Sequence, residues 1–85
     1  MGTGRSGVHQ LLDSARVRTG LSVEGLWIAC LALGGSASID RLEAILNGSR
    51  SPSAGEYDLI AHTLNEQLVD LGLVQSVPYA EDVGL

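Results

Sequence analysis

The chain contains no lysine and no phenylalanine, and Cys30 is its single cysteine. One cysteine excludes an intramolecular disulfide framework and a metal site built from several thiolates of the same chain. The only aromatic residues are Trp27, Tyr57 and Tyr79, so the core must be mainly aliphatic, and leucine and alanine favour helices. Because no disulfide framework is present, we expect a protein of the reducing cytoplasm.

Long apolar runs are missing as well. The longest, Leu26–Leu33, falls well short of the roughly 20 residues that span a bilayer. The start of the chain, MGTGRSGVHQ, lacks the apolar centre of a signal peptide. We therefore expect no association with a membrane. A chain of 85 residues buries a single core, which leaves little room for a deep catalytic cleft.

No grouping of residues in the sequence indicates catalysis. His9 and His62 are isolated, and neither has a second ligand at the spacing that metal sites require. Cys30 lies within the apolar run LWIACLAL, whereas reactive cysteines lie in polar, electropositive surroundings. We therefore predict no enzyme activity, no metal ion and no cofactor.

The charges are unevenly distributed along the chain. The net charge is −5, all five arginines precede position 51, and residues 51–85 carry six acidic residues and no lysine or arginine. Because DNA-binding domains are usually basic, the net charge counts against a nucleic-acid partner. The arginines of the first half nevertheless allow one end of the molecule to be locally positive.

The spacing of apolar residues predicts an all-α fold of four or five helices. In the third helix, Ser38 is a favourable N-cap, and Gly48 ends the helix because glycine readily adopts the left-handed conformation found there. Ser53 and Glu56 have the spacing of a capping box at the start of the fourth helix. The apolar positions that repeat at helical spacing in these two helices are Ile39, Leu42, Ile45, Leu46, Tyr57, Ile60, Ala61, Leu64 and Leu68.

The boundaries of the other segments follow from glycine, serine and proline. A first helix is expected from Val8, and a second between the cap Ser22 and Gly34-Gly35. The fourth helix either continues to Gly72 or breaks near Asn65 into a short fifth helix. Because proline interrupts helices, the chain beyond Pro78 is expected to be loose. The predicted organisation is a flexible N-terminal arm at residues 1–7, a helical domain at residues 8–75 and a short, extended, acidic C-terminal tail at residues 76–85.

Three motifs stand in the order and spacing of a known family. They are Thr19-Gly20-Leu21-Ser22, then Ser38, Leu42, Ile45 and Gly48, and finally Pro52-Ser53 followed by Ile60-Ala61 and Leu64. With these motifs, residues 11–64 resemble the XRE family of helix-turn-helix domains, the group of the Cro and lambda-type repressors. The stretch from Ser22 to Ser38, between the caps of the second and third helices, is longer than in the usual member. The resemblance therefore implies an enlarged second helix or an enlarged turn after it.

The resemblance implies a function in DNA binding. In this family the third helix, here about residues 38–47, lies in the major groove as the recognition helix. The resemblance therefore implies a helix-turn-helix domain at residues 8–75 that binds double-stranded DNA as a homodimer and regulates transcription in the manner of a repressor. Arg41 is the outward residue of this helix best able to read a guanine edge. The residues implied in DNA binding are Arg41, Arg50, Ser38, Ser49, Ser36, Arg16 and Arg5.

Three alternatives remain open at this stage. Arg41 has Asp40 and Glu43 as neighbours with which it can pair instead of meeting DNA. Gly72-Leu73-Val74 also resembles the entry to the wing of a winged-helix domain, in which the acidic fourth helix would face DNA. Finally, the fold can serve as a protein-interaction module without DNA binding, because a second helix that is apolar on every face needs a covering partner. The residues predicted for a dimer or partner interface are Trp27, Ile28, Leu31 and Leu68.

Overall fold

The computed structural model describes residues 7–73 and 77–85, which contain five α-helices and no strand. The helices are α1 (Val8–Thr19), α2 (Val23–Ala32), α3 (Ile39–Asn47), α4 (Ala54–Asp70) and α5 (Ala80–Val83). This confirms the predicted all-α fold. The predicted arm up to residue 6, including Arg5, and residues 74–76 lie outside the described residues. Because α4 is a single helix of 17 residues, the alternative with a break near Asn65 is wrong.

Serine side chains start three of these helices, as the sequence predicts. The hydroxyls of Ser22, Ser38 and Ser53 each accept a hydrogen bond from the backbone N–H three residues later, at 3.0, 3.2 and 3.1 Å. The Glu56 carboxylate accepts in return from the Ser53 N–H at 2.8 Å, which completes the capping box. Gly48 ends α3 with a φ of 87°. Each cap satisfies backbone groups that a helix end leaves unpaired.

The hydrophobic core lies where α1 and α2 pack against α3 and α4. Leu12, Leu26 and Leu64 have no exposed surface, and the side chains around them are also buried. Leu68 is only 2 % exposed, so its predicted place in an interface with a partner is wrong. Four residues after Leu64 on the same helix, it faces the same side of α4 and therefore enters the core.

The sequence predicts that the stretch from Ser22 to Ser38 enlarges either the second helix or the turn after it, and in the structure this stretch comprises α2 and a connection to α3. α2 has ten residues and ends at Ala32, and residues 33–38 form a connection to α3. The Gly35 N–H donates to the Cys30 carbonyl at 2.9 Å. A Cβ atom at Gly35 would lie 2.7 Å from Leu59 Cδ2 and 2.9 Å from the Cys30 carbonyl oxygen. The connection therefore lies directly against α4, which is possible because residue 35 has no side chain.

The predicted loose tail at residues 76–85 is wrong for the part that the structure describes. Val77 and Ala80 are 5 % and 3 % exposed, and both belong to the core. The Asn65 side chain binds the backbone of Val77. The Asp58 carboxylate accepts from the Ala80 N–H at 2.7 Å, at the start of α5. Polar side chains of α4 thus bind the C-terminal segment to the domain, although its proline and acidic residues led to the prediction of a loose tail.

Candidate binding surfaces

The first turn of α3 is the surface predicted to read DNA. Its inward side agrees with the prediction, because Leu42 and Ile45 are buried. Its outward side carries the exposed acidic residues Asp40 and Glu43, and Ile39 is half-buried. Like charges repel the phosphates of a nucleic acid, so this turn is an unfavourable surface for contact with a DNA backbone.

Arg41 does not point freely from α3 but is paired with Glu56 of α4. Its Nε and Nη2 atoms donate to the two oxygens of the Glu56 carboxylate at 2.5 and 2.7 Å. Arg41 therefore pairs with Glu56 and not with Asp40 or Glu43, the two partners considered from the sequence. The hydrogen bonds from Arg41, together with the one from the Ser53 backbone, lower the pKa of Glu56 to about 2. The planar fork with which arginine reads guanine or phosphate is therefore occupied by a carboxylate.

This pair predicts a dependence of stability on pH. Because the pKa of Glu56 is about 2 when folded, against 4.5 for the free side chain, ionised Glu56 stabilises the fold above about pH 4.5. That contribution disappears as the pH falls from 4.5 towards 2. We expect Glu56→Gln to lose less stability than the wild type over this interval, measured by urea denaturation at successive pH values. Glu43→Gln is the matched control, because exposed Glu43 forms no ion pair within the described part of the chain. Identical pH profiles for wild type and Glu56→Gln would contradict the assignment.

Arg16 and Ser49 also have structural partners. The Arg16 guanidinium donates to the Asp13 carboxylate at 2.9 Å and to the Leu21 carbonyl at 2.8 Å, which ties α1 to the turn before α2. The Ser49 hydroxyl donates to the Asn47 side chain at 2.6 Å. Both predicted phosphate contacts are thus engaged in local hydrogen bonds at the ends of helices.

The predicted DNA-binding residues on either side of α3 do not form one cluster. Ser36 and Ser38 precede α3, whereas Ser49 and Arg50 follow it, and all four are exposed. At 1.5 Å per residue, α3 separates the two pairs by roughly 14 Å. Arg50 makes no side-chain hydrogen bond or ion pair within residues 7–73 and 77–85. Arg50 is exposed, and its guanidinium is available to an external anion.

A second candidate surface lies on α2 and is apolar. Ile28, Leu31 and Leu33 are 55 %, 40 % and 42 % exposed, and we call these three residues the α2 face. Trp27, also predicted for a partner interface, is half-buried, because its indole N–H donates to the Ala37 carbonyl at 2.9 Å. Ile28 and Leu31 are therefore exposed, as a partner interface requires. Leu33 belongs to the same apolar run in the sequence and is a third exposed residue that the predicted interface did not include.

A groove of about 440 Å³ adjoins the α2 face. It lies between α2, the connection 33–38, α3 and the first turns of α4, and we call it the α2 groove. Its apolar surface comes from Trp27, Leu31 and Leu59, and the paired side chains of Arg41 and Glu56 also line the groove. Cys30 also lines it, but burial raises the pKa of its thiol, which makes it a poor nucleophile. The groove is thus suited to apolar side chains.

Comparison of the chain with protein-family models, curated proteins and solved structures finds no significant match. Among the described residues, no group of three or more histidine, cysteine or acidic side chains is placed to hold a metal ion. The described helices also include none with both the length and the apolar character needed to cross a membrane.

Proposed function

We propose that the chain is a small protein-interaction module whose binding surface is the α2 face together with the α2 groove. The observation that carries this proposal is the exposure of Ile28, Leu31 and Leu33 next to one apolar groove. Single exposed apolar residues are ordinary, but several adjoining a groove characterise a site for another protein. Burying them removes apolar surface from water, worth roughly 25 cal/mol per Å² before the costs of association. Both partners named from the sequence, a second copy and a different protein, would cover this surface.

Electrostatics favour a protein partner over DNA. The net charge is −5, Arg41 is neutralised by Glu56, and the outward side of α3 carries Asp40 and Glu43. Affinity for nucleic acids comes largely from basic side chains that displace counterions from phosphates. The recognition helix implied by the family resemblance therefore lacks the charge that its proposed role requires.

DNA binding remains the second candidate because of one corner of the molecule. Exposed Arg50 lies between the end of α3 and the start of α4, and backbone N–H groups at a helix start attract anions. A homodimer would place two such corners on one duplex. In that case the affinity for duplex DNA would be low and would depend on Arg50.

Two measurements on the intact chain test these functions. A photo-crosslinking amino acid replaces Ile28 in one variant and Val69 in a control, since Val69 is 72 % exposed on α4, away from the α2 face. We expect covalent protein adducts from position 28 and none from position 69. Fluorescence polarisation with mixed-sequence duplex DNA at low salt should show no binding. Duplex binding that is lost in Arg50→Ala, without adducts from position 28, would reverse the order of the two candidates.

A further inference from the structure

We infer that the partner covering the α2 face is a second copy of this chain, bound about a two-fold axis so that the α2 face of each copy contacts the α2 groove of the other. This inference rests on the proposed function and names the partner of the same surface. Three features of the molecule support it: the distribution of charge, the adjacency of protrusion and groove, and the direction of α2.

The distribution of charge is compatible with a second copy as partner. Within residues 25–39, the only ionisable side chain is Cys30, and burial raises the pKa of its thiol. Two copies that each carry a charge of −5 repel least when the contact is made through their uncharged surfaces. A strongly charged partner would find no counter-charge here, because Arg41 and Glu56 already pair with each other.

The surface also has the shape that self-association needs. In a two-fold contact the same surface of both copies is used, so a protrusion must lie beside the hollow that receives its counterpart. The exposed Leu33 follows directly after α2, and Leu31 belongs both to the α2 face and to the lining of the α2 groove. A two-fold axis near Leu31 therefore brings Ile28 of each copy opposite Gly34, in the groove lining of the other copy.

The direction of α2 is compatible with this arrangement. With the two-fold axis perpendicular to α2, the two copies of this helix pack antiparallel, which opposes their dipoles favourably. The exposed Ala32 lies beside the large residues of the face and adds little bulk between the helices. The acidic first turn, with Glu24, lies at the outer ends of such a pair rather than at its centre.

The strength and salt dependence of this contact follow from its size and neutrality. Three partly exposed side chains and a groove make a contact at the small end of specific interfaces, below roughly 1,200 Å² in total, a size typical of transient complexes. We therefore expect a dissociation constant in the micromolar range. Added salt screens the repulsion between two acidic copies, so association should strengthen with salt. Contacts based on ion pairs or on DNA phosphates weaken with salt instead.

Sedimentation equilibrium of the untagged chain tests the inference. From about 10 to 500 µM protein, the average mass should rise above 8.9 kDa towards twice that value, and further at high salt. Ile28→Ser and Leu33→Ser should each weaken association at least about tenfold, a loss of about 1.4 kcal/mol. Val69→Ser removes a more exposed side chain from α4 and should leave association unchanged. Circular dichroism melting of each variant separates weakened association from loss of folding.

A disulfide trap provides a second readout that does not depend on affinity. In a Cys30→Ala background, Leu31→Cys should form a disulfide-linked dimer under mild oxidation, because the two-fold axis passes near position 31. Val69→Cys in the same background should remain monomeric. A wild-type mass of 8.9 kDa throughout the concentration range, or equal effects of Leu33→Ser and Val69→Ser, would overturn the inference.

The failure of this inference is distinguishable from the failure of the proposed function. Expressing two copies with tags of different size identifies self-adducts from the photo-crosslinker at position 28 by their mass. A monomeric chain whose position 28 captures a different protein retains the proposed function and loses only the second copy as partner. A monomeric chain without any adduct from position 28 loses both.

Discussion

Leu64→Ala is expected to lower the free energy of unfolding by about 2–5 kcal/mol, the range for a buried leucine reduced to alanine. Leu64 has no exposed surface and lies in α4, the helix that packs against both α1 and α2. Removing its isobutyl group leaves a cavity between these helices that their backbones cannot close. Urea denaturation followed by circular dichroism measures the change. In a domain of this size each kcal/mol corresponds to roughly 4–8 °C in the melting temperature.

The matched control for this substitution lies on the same helix. Val69 is 72 % exposed, so Val69→Ala should change the stability by less than about 0.5 kcal/mol. Leu42→Ala, at a position 3 % exposed in α3, should resemble Leu64→Ala. Similar small effects for Leu64→Ala and Val69→Ala would mean that the inward and outward sides of α4 are assigned incorrectly.

Local chemistry explains why the helices were predictable from the sequence. Ser22, Ser38 and Ser53 act within three residues of their own position, and the closing glycine of α3 acts within one turn. Such signals depend on hydrogen bonds between near neighbours in the chain. The starts of α2, α3 and α4 therefore follow from short stretches of sequence, without knowledge of how the helices pack.

The partners of the candidate site were less predictable because they depend on packing between helices. Asp40 and Glu43 are closer to Arg41 in the chain than Glu56 is, yet the angle between α3 and α4 brings Glu56 to the guanidinium. Trp27 was predicted to face a partner, but the path of the connection places the Ala37 carbonyl against its indole N–H. Neither contact has a regular sequence spacing from which it can be recognised.

The α2 face was predictable in part. A helix with apolar residues on every side cannot bury all of them in a domain of this size, so exposed residues such as Ile28 and Leu31 were expected. Which residues turn outward depends on the helix that covers α2. The covered side includes Leu26 and Cys30, because α3 and α4 pack there. The arrangement of the neighbouring helices thus decides which side remains available to a partner.

The attachment of the C-terminal segment to α4 depends strongly on the Asn65 side chain, which the sequence does not indicate. Asn65→Ala is expected to lower the free energy of unfolding by about 2–4 kcal/mol. The Asn65 carboxamide oxygen accepts from the Val77 N–H at 2.6 Å, and its NH₂ group donates to the Val77 carbonyl at 3.1 Å. Val77 is only 5 % exposed, and each buried backbone group left without a partner costs about 1–3 kcal/mol. Urea denaturation of Asn65→Ala and the wild type measures the total loss of unfolding free energy.

Two further variants separate this double hydrogen bond from general disturbance of α4. Tyr57→Phe removes one hydrogen bond, from the Tyr57 hydroxyl to the Pro78 carbonyl at 2.8 Å, and should cost about 1 kcal/mol. Gln67→Ala, at a half-buried residue of α4, should cost less than either. Amide hydrogen exchange locates the effect: Asn65→Ala should abolish protection of the Val77 N–H even under strongly native conditions, because the segment can then detach while α1–α4 remain packed. Full protection of that N–H in Asn65→Ala would show that burial of Val77 and Ala80 holds the segment without the amide.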